Sequence, residues 1–84
     1  MSNEMILEVL DMLSDLQKDD CIPKNIRSKI GCAIDALNCE ERSLFMKVDA
    51  SLQELDEVSE NSNVPTFTKT QIYSIVSKLE CIKQ

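Results

Sequence analysis

The sequence predicts an all-α protein, an antiparallel four-helix bundle built from two tandem helical hairpins. Three observations carry that expectation. Apolar residues recur at three- and four-residue steps, and no stretch alternates convincingly with period two. The two prolines, Pro23 and Pro65, each head an amphipathic run, where a missing N–H is harmless because first-turn N–H groups lack a helical partner. Displacing the sequence by 42 residues lays one half on the other. At 84 residues with one Gly and two Pro, the chain has material for a single helical domain, residues 1–84, and little for long loops.

The first helix is expected over about residues 3–18, with Ile6, Val9, Leu10, Leu13 and Leu16 on one face and Glu4, Glu8, Asp11 and Asp15 on the other. The second opens at Pro23 and turns Ile26, Ile30, Ala33, Ile34 and Leu37 inward. The third is expected to start near Glu40, capped by Asn38 or Cys39, because the acidic pair Glu40–Glu41 suits the positive end of a helix dipole. Its inward face is then Leu44, Phe45, Val48, Leu52 and Leu55. The fourth opens at Pro65 and buries Ile72, Ile75, Val76, Leu79 and Ile82. Hairpin one covers about residues 3–38 and hairpin two about 40–83.

The offset of 42 pairs Leu10 with Leu52, Leu13 with Leu55, Pro23 with Pro65, Ile30 with Ile72 and Leu37 with Leu79. It also pairs Ile22 with Val64 and Arg27 with Lys69, so each half carries an Ile/Val-Pro step and a base four residues on. The period falls among HEAT-like units of roughly 40–47 residues. Two such units bury their apolar faces only by folding over each other or by recruiting another subunit. Charge follows the repeat: residues 1–20 and 39–60 each sum to −5, and residues 21–38 and 61–84 each to +2. An acidic first helix beside a mildly basic second one reads most simply as complementarity within each hairpin.

Function classes narrow by composition. The chain has no His, which removes imidazole as base, ligand or partner of a thiol nucleophile. A net charge of −6 disfavours non-specific nucleic-acid binding, which needs phosphate neutralisation. Cys21, Cys32, Cys39 and Cys81 include no Cys-x-x-Cys pair and are read as reduced, unpaired thiols. Asp19–Asp20, Glu57 and Glu60 lack the alternating acids and central Gly of a calcium loop, and read as helix-end polar groups. No metal, no cofactor and no catalytic residue is expected. The longest apolar runs are three residues, too short for a membrane span, and the N-terminus lacks a basic leader, so a cytoplasmic protein is expected. Gly31 lies within the second helix, where glycine costs about 1 kcal/mol relative to Ala. Either a side chain packs over it or it is simply exposed.

The segments Asp20-Cys21-Ile22-Pro23-Lys24-Asn25-Ile26-Arg27 and Leu55-Asp56-Glu57-Val58-Ser59-Glu60-Asn61-Ser62-Asn63-Val64-Pro65, with the closing run Ile72 to Glu80, resemble a family of short archaeal proteins called uncharacterised protein family 0147. The resemblance covers nearly the whole chain and implies a compact helical bundle of archaeal origin without an assigned activity. Ser62 stands where that family often has Pro, and Tyr73 where it often has Trp.

The function expected is a non-catalytic helical interaction module, not an enzyme. It associates with itself, as a homodimer or higher oligomer, or docks an unidentified protein. Leu7, Met12, Met46 and Phe67 fall outside the main apolar stripes and are the expected partner-binding residues. The alternative is an RNA-associated accessory protein that contacts anions through Lys24, Arg27, Lys69 and Lys78, although no aromatic platform for base stacking accompanies them.

Overall fold

Four helices make up the computed structural model, which describes residues 2–83, with side chains from Glu4 onward. They are α1 (Ser2–Gln17), α2 (Lys24–Asn38), α3 (Leu44–Glu60) and α4 (Thr66–Lys83). No strand occurs among the described residues. Each helix packs on two neighbours in a closed ring, α1 on α2, α2 on α3, α3 on α4 and α4 on α1, and among the described residues no Cα pair of either diagonal comes within 8 Å. Repeats stacked by translation would set α1 beside α3. Here the hairpins instead fold over each other and close an antiparallel four-helix bundle.

The 42-residue repeat reappears in the burial. All eight buried residues of hairpin one have a buried counterpart in hairpin two. Val9, Leu13, Leu16 and Ile22 map onto Ser51, Leu55, Val58 and Val64, while Ile26, Ile30, Ala33 and Leu37 map onto Thr68, Ile72, Ile75 and Leu79. The two further buried positions, Val48 and Leu52, lie opposite the partly buried Ile6 and Leu10. One contiguous core results, with Ile34, Val76 and Ile82 packed along its margin. The topology of the ring is accordingly pseudo-two-fold: α2–α3 corresponds to α4–α1, and α1–α2 to α3–α4, although α2 packs on α3 more extensively than α4 on α1.

Three backbone bonds recur in the turns inside the two hairpins. Asp19 N–H donates to the Leu16 carbonyl at 3.1 Å, Ile22 N–H to Asp19 at 3.2 Å and Arg27 N–H to Pro23 at 3.0 Å. Forty-two residues on, Asn61, Val64 and Lys69 donate to Val58, Asn61 and Pro65 at 3.2, 3.2 and 3.0 Å. Each turn is fastened by an Asx bond, Cys21 N–H to Asp19 Oδ1 at 2.9 Å and Asn63 N–H to Asn61 Oδ1 at 2.8 Å.

Three expectations need correction, two of boundaries and one of burial. Pro23 is the residue capping α2, with φ −55° and ψ 147°, and the first helical residue is Lys24. The third helix starts at Leu44, not near Glu40, because the Ser43 hydroxyl accepts the otherwise orphaned Met46 N–H at 3.3 Å. Glu40 and Glu41 therefore lie in the turn before it. Shifted in this way, Leu44 and Phe45 sit in the first turn beyond the core, 40% and 54% exposed rather than buried.

Candidate interaction surface

The antiparallel ring sets the N-termini of α1 and α3 at the same end of the bundle, together with the C-termini of α2 and α4. That end carries exposed Leu7 from α1 and the exposed run Leu44, Phe45 and Met46 from α3. Their exposure follows from position. Val48 is the first α3 residue the core covers, so the turn before it projects past the packed layers. The Lys83 ammonium stands 5.1 Å from the Phe45 ring centroid, a cation–π contact across α4 and α3. Lys83 also pairs with Asp49 at 2.9 Å, joining the end of α4 to the start of α3.

The four expected partner-binding residues do not form one patch. Leu7 and Met46 share the end just described. Met12 is half-buried and packs against the core. Phe67, though 70% exposed, opens α4 at the opposite end. Leu44 and Phe45 belong with Leu7 and Met46 but were assigned to the core by periodicity. The signal for them is Ser43, a good cap immediately before the apolar run.

The basic residues disperse. Lys24 and Arg27 share a shallow open depression with Gln17 and Ser28 between α1 and α2. Arg27 reaches Asp20 at 3.8 Å, while its Nε is buried without a hydrogen-bond partner. Lys69, on the diagonal helix, belongs to no such cluster. Lys78 bonds Glu8 at 2.8 Å across α4 and α1. Lys29 of α2 pairs with Glu54 and Glu57 of α3. Among the described residues, Arg27 and Lys83 thus pair within a hairpin and Lys29 and Lys78 between hairpins, where the composition suggested pairing within each. The Glu57 hydrogen bond pushes the Lys29 ammonium above the usual lysine range, and the Lys83 hydrogen bond holds the Asp49 carboxyl below the usual carboxylate range.

The side-chain question at Gly31 has an answer. A Cβ there would stand 2.6 Å from the Gln17 amide nitrogen, so the end of α1 lies over this glycine. The four cysteines are free thiols, with Cys21, Cys32 and Cys81 exposed. No described helix is long and apolar enough to cross a membrane.

Comparison with known proteins gives a consistent match. The model of Uncharacterised protein family (UPF0147) matches residues 1–82. The UPF0147 protein of Methanosarcina mazei is 35% identical over 81 residues, 96% of this chain and 87% of that one. That of Methanocaldococcus jannaschii is 36% identical over 80 residues, 95% and 86% of the two chains. A crystal structure described as the unknown function protein MMP1188 superposes with a TM-score of 0.93 at 38% identity, covering 98% of this chain and 93% of the other.

Proposed function

We propose that this chain, which belongs to the uncharacterised protein family UPF0147, is a non-catalytic helical interaction module that associates with itself through the apolar end of its bundle. The observation that carries the reading is the exposed run Leu44-Phe45-Met46, at the end of the bundle that also exposes Leu7. Scattered exposed apolar residues are ordinary on a protein surface; a run of three consecutive ones at one end of a bundle is a candidate for association. The RNA-associated alternative draws on Lys24, Arg27, Lys69 and Lys78, of which Arg27 and Lys78 already face the protein's own carboxylates.

Light scattering on a size-exclusion eluate, repeated from low to several hundred micromolar, tests the reading. Mass should rise toward twice that of the chain. The double substitution Phe45→Ser and Met46→Ser should lower that rise while the helical spectrum stays unchanged. A chain of monomer mass throughout the range overturns the proposal.

A further inference from the structure

The middle turn, residues 39–43, repeats the plan of the other two and, apart from the Ser43 cap on Met46 N–H, has weaker fastenings. Asp19 and Asn61 open their turns with a side-chain oxygen that holds the N–H two residues on. Cys39, in the same place, has no such oxygen. At the fourth position Ile22 and Val64 are buried, whereas Arg42 is exposed. At the fifth, Pro23 and Pro65 block a helix from running through, whereas Ser43 does not. The closing bond, Arg42 N–H to the Cys39 carbonyl, is 3.5 Å long against 3.2 Å in the other two turns. Cys39-Glu40-Glu41-Arg42-Ser43 contains neither Pro nor Gly, and Glu and Arg are good helix formers.

Helical phase points the same way. Eleven residues separate Leu37, the last buried residue of α2, from Val48, the first of α3, and this is just over three helical turns. If residues 39–43 were helical, the buried stripe of α2 would continue onto α3 on the same side, with Leu44 on that line.

We propose that two copies of this chain exchange hairpins by straightening residues 39–43, which merges α2 and α3 into one helix over residues 24–60, about 55 Å long. Hairpin one of each copy then packs on hairpin two of the other. Every contact between hairpins is kept, α2 against α3 and α1 against α4, but between chains. The two resulting bundles meet at the end that exposes Leu7, Leu44, Phe45 and Met46, so the junction covers the surface that a single closed chain leaves bare. This rests on the self-association reading and specifies its geometry. Two copies of Glu40 and Glu41 approach at the junction, and raised ionic strength accordingly favours the exchanged form.

The Lys29 pairing with Glu54 and Glu57 reads the exchange directly, because it joins α2 to α3. In a straightened chain Lys29 and Glu57 lie about 40 Å apart, so their contact can only be made with the other copy. Full-length chain, mixed from ordinary and ¹⁵N-labelled protein and unfolded and refolded together, is separated into monomer and dimer, and each fraction is treated with a carbodiimide. The monomer should give links from Lys29 to Glu54 or Glu57 within one isotope. The dimer should give the same links as mixed-isotope peptides, about half of the total for an equal mixture. A dimer whose links all stay within one isotope overturns the exchange and leaves self-association standing. The absence of any dimer overturns both.

Glu40→Pro supplies the second test. Cys39, at φ −74° and ψ 105°, already has the backbone a residue before proline requires, so the closed chain tolerates the change. A continuous helix does not, and dimer formation should weaken by at least about a hundredfold. A Glu40→Pro chain that folds and dimerises as the parent does overturns the merged helix.

Discussion

Ser51 occupies a core position that its counterpart, Val9, fills with hydrocarbon. It is 0% exposed, and its hydroxyl oxygen has no hydrogen-bond partner. A buried polar atom left unsatisfied costs about 1–3 kcal/mol, more than the packing of one oxygen returns. Ser51→Ala should therefore stabilise the protein by about 1 kcal/mol and raise Tm by several degrees. A lower Tm would mean that the hydroxyl is bonded after all. Gly31→Ala should also stabilise, by about 0.5–1 kcal/mol, through helix propensity and a less flexible unfolded chain. The atom that a new Cβ meets is the far end of a flexible Gln17 side chain, which can swing aside. Thermal unfolding beside Gln17→Ala Gly31→Ala separates the two terms. If Gln17 resists displacement, the single variant gains less than the double.

Two exposed ion pairs contribute to how stability changes with pH. The Asp49 carboxyl is lowered by its hydrogen bond to Lys83, so its contribution is complete above the ordinary carboxylate range and lost as pH falls through the lowered value. Lys29 is raised by Glu57, so its contribution is complete below the ordinary lysine range and lost as pH climbs through the raised value. Both effects are small, because the groups face solvent and salt screens them. Asp49→Asn should lower Tm at neutral pH and match the parent in strong acid. Glu57→Gln should lower Tm at neutral pH and match the parent in strong alkali. A gap that persists at those extremes would assign the loss to packing instead.

Among the elements, the helices that begin after proline were legible, and the one that begins after serine was not. Pro23 and Pro65 fix a boundary covalently, and periodicity then places Ile26 or Ile72 inward without ambiguity. In the third helix, two signals competed. Glu40 and Glu41 suit a helix dipole through a weak long-range field, whereas Ser43 makes a directed bond to Met46 N–H, and the bond set the boundary. Leu44 and Phe45 moved from core to surface with it, and for that reason the candidate surface was only half legible. Lateral order around the ring was also hidden, since helical periodicity says which face turns inward and nothing about which neighbour it meets. Ser43→Ala should cost about 1 kcal/mol of stability, seen as a lower denaturation midpoint with an unchanged slope. Loss of helix beyond the first turn would instead show that Ser43 holds more than the cap. Leu55, 0% exposed at the centre of the same helix, sets the scale: Leu55→Ala should cost about 2–5 kcal/mol.

At the scale of the molecule, the governing fact is a ring whose α4–α1 and α2–α3 contacts are related by the pseudo-two-fold. The first described turn of α1 and the last of α4 lie at the same end of neighbouring antiparallel helices, tied one to two turns inward by Glu8 and Lys78. A flexible linker of about five residues is therefore long enough to join the end of α4 to the start of α1. Opening the chain between Glu41 and Arg42 then yields a permutant that presents hairpin two first and hairpin one second. The core of the permutant keeps every buried pair, because no buried residue lies between Leu37 and Val48. It should fold with the helical content of the parent and unfold in one cooperative transition. It also lacks the segment whose straightening would merge α2 and α3, and a Gly/Ser linker between α4 and α1 cannot replace that helix. The permutant should thus remain monomeric at concentrations where the parent forms dimers. A folded permutant that dimerises as readily would place self-association on the outer surface of the closed bundle. An unfolded one would show that the α2–α3 turn carries more of the stability than its fastenings indicate.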